Sequence, residues 1–98
     1  MDIESLLFNK YRLAIMTLLA KHREMSYKEI RASVPTTDGN LATHLRKLED
    51  AGLVAVEKTF EGRRPKTIYR ITPEGEKALE KFLGELEIIL KNFRRLEK

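Results

Sequence analysis

Apolar residues recur at three- and four-residue intervals through Leu6, Leu7, Tyr11, Ala14, Ile15, Leu18 and Leu19, the rhythm of a helix with one buried stripe. A first helix is expected over residues 2–22, with a break near Asn9. Ser26 followed by Glu29 is a capping-box pattern. The hydroxyl and the carboxylate each satisfy an amide left free at a helix start, so a short second helix is expected over residues 27–33. Val34-Pro35-Thr36 interrupts it, and Thr36 or Thr37 caps a third helix with Leu41, Leu45 and Leu48 on one face. Gly52 tolerates the left-handed conformation of a helix stop, which sets this third helix at residues 38–51.

The period then changes. Residues 53–59 and 67–71 are rich in β-branched and aromatic side chains, which favour strands, with Val54, Val56, Tyr69 and Ile71 facing inward. Residues 60–66, Phe-Glu-Gly-Arg-Arg-Pro-Lys, join them as a hairpin tip. Thr72-Pro73-Glu74 combines a cap, a proline at the first helical position and an acid in the first turn. A last helix is expected over residues 73–96, with Leu79, Phe82, Leu86, Ile89, Phe93 and Leu96 alternating spacings of three and four and Leu83 and Leu90 widening the seam. This stripe is long enough to meet a second chain. A homodimer is expected through it, with Leu6 and Leu7 of the first helix contributing, the alternative being a last helix folded back on its own chain.

The class is mainly α with a small β-hairpin. No linker or repeat divides the chain, which reads as one domain over residues 1–98: residues 8–72 form the helix-turn-helix and hairpin, residues 73–96 the dimerisation helix. The absence of cysteine excludes a disulfide framework and a thiolate metal site and favours a cytoplasmic protein. No apolar run reaches the roughly 20 residues of a membrane span, and the start lacks the order of a signal peptide. Nineteen basic against fifteen acidic side chains give a net charge of +4. The excess is local: Lys58, Arg63, Arg64, Lys66 and Arg70 stand against Glu61 alone. No nucleophile elbow, glycine-rich phosphate loop, acid/base pair or metal-binding histidine spacing occurs, so neither catalysis nor a cofactor is expected.

Two short helices joined by a turn, the second with a polar face, are how helix-turn-helix proteins lay a recognition helix in the major groove of DNA. Opposite the leucines, the third helix presents Gly39, Asn40, Thr43, Arg46, Lys47 and Asp50. Asn40 and Thr43 suit base edges, and Arg46 and Lys47 suit phosphates. Thr37 at the helix start and His44 at the edge of the buried stripe complete that candidate surface. Lys58, Arg63, Arg64 and Lys66 on the hairpin are candidates for phosphates or a minor groove. A helix-turn-helix followed by a basic hairpin is the winged-helix arrangement.

Residues 42–54, in particular His44-Leu45, Leu48 and Ala51-Gly52-Leu53-Val54, resemble the recognition helix and first wing strand of ArsR- and MarR-type regulators. The segment Tyr69-Arg70-Ile71-Thr72-Pro73-Glu74-Gly75 is similar to their return strand and helix start, and Arg12-Leu13-Ala14-Ile15 to their first helix. The resemblance implies a dimeric transcriptional regulator with the third helix in the major groove of double-stranded DNA and the wing on the flanking backbone or minor groove. The two-fold symmetry of a dimer in turn makes an approximate inverted repeat the expected site. Ala42 stands where such proteins often place serine, and the thiolate metal site of many ArsR-type sensors is missing. A rival reading is a winged-helix module that binds protein, which would lack the steep salt dependence of DNA binding. A third adds a small apolar effector lodged among Phe8, Tyr11 and Phe82.

Overall fold

The computed structural model describes residues 2–96. Asp2 caps α1 (Ile3–Leu7), and Asn9 breaks the first helical stretch where expected: its side chain accepts from the amides of Tyr11 and Arg12 and starts α2 (Lys10–His22). Strand β1 (Glu24–Ser26) follows, then α3 (Tyr27–Ser33), α4 (Asp38–Asp50), β2 (Val54–Glu61), β3 (Arg64–Ile71) and α5 (Pro73–Leu96).

Local chemistry sets these boundaries. Ser26 and Glu29 form the reciprocal capping box, and Thr37 accepts from the amide of Asn40 at the start of α4. α4 ends in a Schellman stop: the Leu53 amide donates to Leu48 O at 3.0 Å, the Gly52 amide to Glu49 O at 2.9 Å, and Gly52 takes φ +77°. Leu48 and Leu53, both buried, supply the apolar contact that accompanies this motif.

Two expectations need correction. The sheet has three strands in the order β1-β3-β2, because Glu24, Met25 and Ser26 pair antiparallel with Arg70, Tyr69 and Ile68. The hairpin is also longer than expected. Phe60 and Glu61 belong to β2 and Arg64, Pro65 and Lys66 to β3, which leaves Gly62-Arg63 as a two-residue turn with Gly62 at φ +65°. A glycine with positive φ in the first central position is what a II′ hairpin turn uses. Pro65 is tolerated because β1 flanks β3 only at residues 68–70, so beyond it one edge of β3 is free of a ladder partner.

The core joins all layers. Leu6 and Leu7 of α1, Ile15, Met16 and Leu19 of α2, Ile30 of α3 and the three leucines of α4 pack with Met25, Leu53, Val54, Ile71, Leu79 and Phe82. Thr72 caps α5 by accepting from the Gly75 amide at 2.9 Å, and its own amide donates to Leu53 O at 3.1 Å. Past Leu86 no residue of α5 with a described side chain is buried, and the helix projects, giving the protein extents of 58 × 24 × 23 Å.

Candidate nucleic-acid interface

Three buried leucines, Leu41, Leu45 and Leu48, hold one side of α4 to the core. The opposite side, with Gly39, Asn40, Thr43, Arg46, Lys47 and Asp50, is exposed along its whole length. Thr43 turns its hydroxyl back to Gly39 O at 3.0 Å, which leaves its methyl group and an oxygen lone pair outward. Asp38 opens the helix. Its carboxylate accepts from Tyr27 Oη at 3.0 Å and Arg31 Nε at 2.7 Å, and these two hydrogen bonds, the tyrosine's first, hold it below the usual carboxylate range. The positive end of the α4 dipole is thus already matched by an anion.

His44 is half-buried at the side of this surface. Its Nδ1 lies 3.0 Å from Arg12 Nη1, and its ring packs on Tyr11 with centroids 5.7 Å apart. Burial first, then the charges of Arg12 and Lys47, push its pKa below 6.5. Arg12 itself is buried, and its Nε donates to Leu6 O at 2.6 Å. The apolar periodicity passed over this arginine, which the sequence offered only as part of the first-helix resemblance, although it lies on the same helical face as Ile15, Met16 and Leu19.

The hairpin divides its cations. Alternation along β2 and β3 places Lys58, Phe60, Pro65 and Thr67 on the face that carries Val54, Tyr69 and Ile71, and Arg64, Lys66 and Arg70 on the other. Arg70 is tied to Glu57 at 2.6 Å and to Glu24 at 3.2 Å, and Lys66 to Glu61 at 2.9 Å. Among the described residues, Arg46, Lys47, Lys58, Arg63 and Arg64 form no ion pair. The local excess of charge read from the sequence therefore reduces on the hairpin to Lys58, Arg63 and Arg64, with Lys66 held by an exposed pair that costs little to exchange.

The winged helix DNA-binding domain family matches residues 11–90. The chain belongs to that family. An uncharacterised HTH-type transcriptional regulator of Methanocaldococcus jannaschii is 41% identical over 91 residues, covering 89% of this chain and 84% of the relative. The solved structure of a transcriptional regulator homologue from Pyrococcus horikoshii OT3 superposes with a TM-score of 0.84 at 34% identity, covering 91% of this chain and 88% of that one. A MarR-family regulator from Enterococcus faecalis V583 gives 0.78 at 28% identity, covering 97% and 84%. The family and fold are those of transcriptional regulators and not of enzymes. In winged-helix terms α3 and α4 are the helix-turn-helix and the β2–β3 hairpin is the wing. No described helix is long and apolar enough to cross a membrane.

The seam residues separate into two groups on this winged helix. Leu6, Leu7, Leu79 and Phe82 are buried in the chain's own core, which corrects the expectation that they face a second chain. Leu86 is partly buried, and Leu83, Ile89, Leu90 and Phe93 are exposed, joined by Ile88, which the heptad reading passed over. Leu96 falls in the last turn of α5, but its side chain lies outside the described residues. The apolar groove expected among Phe8, Tyr11 and Phe82 lacks Tyr11, which sits on His44 instead. Phe8 meets Phe82 edge-on at 6.1 Å, and a groove of 240 Å³ lies beside them, lined with Leu7, Leu13 and Leu86.

Proposed function

We propose that this chain is a sequence-specific, double-stranded-DNA-binding transcriptional regulator that acts as a homodimer on an approximate inverted repeat. In this reading α4 enters the major groove, with Asn40 and Thr43 at base edges and Arg46 and Lys47 on phosphates. Thr37 and His44 flank that surface. Lys58, Arg63, Arg64 and Lys66 place the wing on the adjacent backbone or minor groove. The observation that carries the reading is the outward polar face of α4 together with five cations, on helix and wing, that have no internal carboxylate partner among the described residues.

The second copy is supported by α5. Ile89 and Phe93 are 61% and 57% exposed on a helix that has left its own core, where large apolar side chains in water favour association. Charge along this segment reverses, from Glu85 and Glu87 to Lys91, Arg94 and Arg95. Antiparallel tails set acids against bases, whereas parallel tails set like against like. Selection of bound sequences from random duplex DNA tests the whole: an approximate inverted repeat with half-sites a helical turn or a multiple of it apart is expected, and recovery of no preferred sequence overturns it.

A further inference from the structure

Buried guanidinium groups ordinarily face a carboxylate, because an unpaired charge is expensive to remove from water. Arg12 is 7% exposed and forms no salt bridge among the described residues. Its donors go to two neutral acceptors on different elements. One is Leu6 O, a carbonyl in the last turn of α1 that has no partner within its own helix. The other is His44 Nδ1 on α4. Arginine has no acceptor atom, so Nδ1 accepts and the ring's proton sits on Nε2. α1 in turn packs on α5. A single side chain therefore connects the helix that addresses DNA to the elements at the root of the projecting tail.

We propose that Arg12 is a positioning residue for the DNA-binding surface, bracketing α4 against α1 through neutral His44, and that protonation of His44 opens this bracket. A proton on Nδ1 removes the acceptor and sets two cations against each other at hydrogen-bond distance. The groups that face the imidazole are Arg12 and Tyr11 from α2 and Lys47 from its own helix, with Lys10 lying over the Tyr11 ring. None is an acid, so nothing in the surroundings rewards the charged ring. The consequence for binding has an unusual sign. A histidine beside a DNA-reading surface normally strengthens binding when acidified, by adding a cation near phosphates; here acid weakens binding, because the recognition helix loses its support.

The proposal rests on the DNA-binding reading for its affinity test and stands apart from it in a spectroscopic one. Affinity for a selected duplex is measured by fluorescence anisotropy from about pH 8 to about pH 5 at constant salt, spanning the ordinary histidine range. The parent should lose up to about tenfold per pH unit once below that range. His44→Asn places an amide oxygen near the position of Nδ1 and does not titrate. Whatever its affinity at the alkaline end, its binding should stay flat across the range, whereas His44→Leu, which leaves the guanidinium without that acceptor, should bind more weakly than His44→Asn throughout. A parent curve that rises with acid, or that superimposes on that of His44→Asn, overturns the proposal. Ring-nitrogen NMR of the full chain without DNA gives the independent readout: a neutral Nε2–H ring at neutral pH, titrating at higher pH in Arg12→Leu, supports the bracket. A charged ring at neutral pH, or a titration indifferent to Arg12, overturns it even where no duplex is bound at all. If the NMR result holds and no duplex binds, the DNA-binding reading alone has failed.

Discussion

Gly75 lies so close to the carbonyl of Leu53 that a Cβ on it would collide with the oxygen, and also press on Ile71. The first turn of α5 is thereby clamped to the residue that leaves the Schellman stop of α4. Thr72 reinforces the same junction, since its hydroxyl donates to Gly52 O at 2.7 Å. α4, the base of the β2–β3 hairpin and the root of the long helix meet at this point.

Gly75→Ala should therefore destabilise the fold by about 1–3 kcal/mol, the usual range for forcing extra atoms into a packed site. The colliding atom is backbone and cannot swing aside. Urea unfolding measures it, and a midpoint equal to the parent's would show that the junction yields.

The capping box gives a second stability test. Ser26→Ala removes the acceptor for the Glu29 amide and should cost about 1 kcal/mol. The Glu29 carboxylate accepts from the Ser26 amide at 2.9 Å, and that bond, followed by the serine side chain, holds its pKa below 4.5. The folded value is depressed, so its stabilisation is complete above 4.5 and is lost as pH falls through the folded value. Thermal melts of Glu29→Gln should lack this part of the acid dependence; identical slopes in the parent and variant would count against the box.

The wing and α4 should separate in their effects on DNA. Arg63→Ala with Arg64→Ala should weaken binding to all duplexes alike and reduce the steepness of the salt dependence by about 0.9 for each phosphate that is no longer neutralised. Asn40→Ala or Thr43→Ala should instead change which sequences are preferred, by about 1–3 kcal/mol at the affected base pair. Anisotropy titrations at several salt concentrations check both, and variants indistinguishable from the parent would refute the docking.

Self-association should depend on the exposed half of α5. Ile89→Glu with Phe93→Glu places charges within the apolar strip without touching the core, and sedimentation should show the parent as a dimer and the variant as a folded monomer. A parent that sediments as one chain at micromolar concentration removes the symmetric mode of binding.

Much of the fold was legible because its signals are local. Asn9, Ser26, Thr37, Gly52 and Thr72 each act within a few residues of the boundary they set. β1 was not legible: Glu24-Met25-Ser26 is a strand only because Arg70, Tyr69 and Ile68 lie beside it, and three residues carry no periodicity of their own. The extension of the wing was hidden for a related reason, since Glu61, Arg64, Pro65 and Lys66 have little strand preference and are held by pairing across a two-residue turn. At the candidate site, residue type and helical angle placed the polar face of α4 outward, but they could not show which cations had internal partners. Nor could they distinguish the part of the α5 stripe that its own subunit consumes, Leu79 and Phe82, from the part left in water.

The unbroken run of α5 from Pro73 to Leu96 has a final consequence. In a pair of chains joined tail to tail it would act as a ruler, and a helical ruler sets angle as well as distance. One residue inserted near Gly84 advances everything beyond it by about 1.5 Å and about 100°, swinging each head away from the face of the duplex that the other occupies. Seven residues, close to two full turns, nearly restore the angle while lengthening the span. Evolution of operator spacing in such a molecule would proceed by steps of phase, and single-residue insertions and deletions in the rod should be far more damaging than substitutions at the same exposed positions.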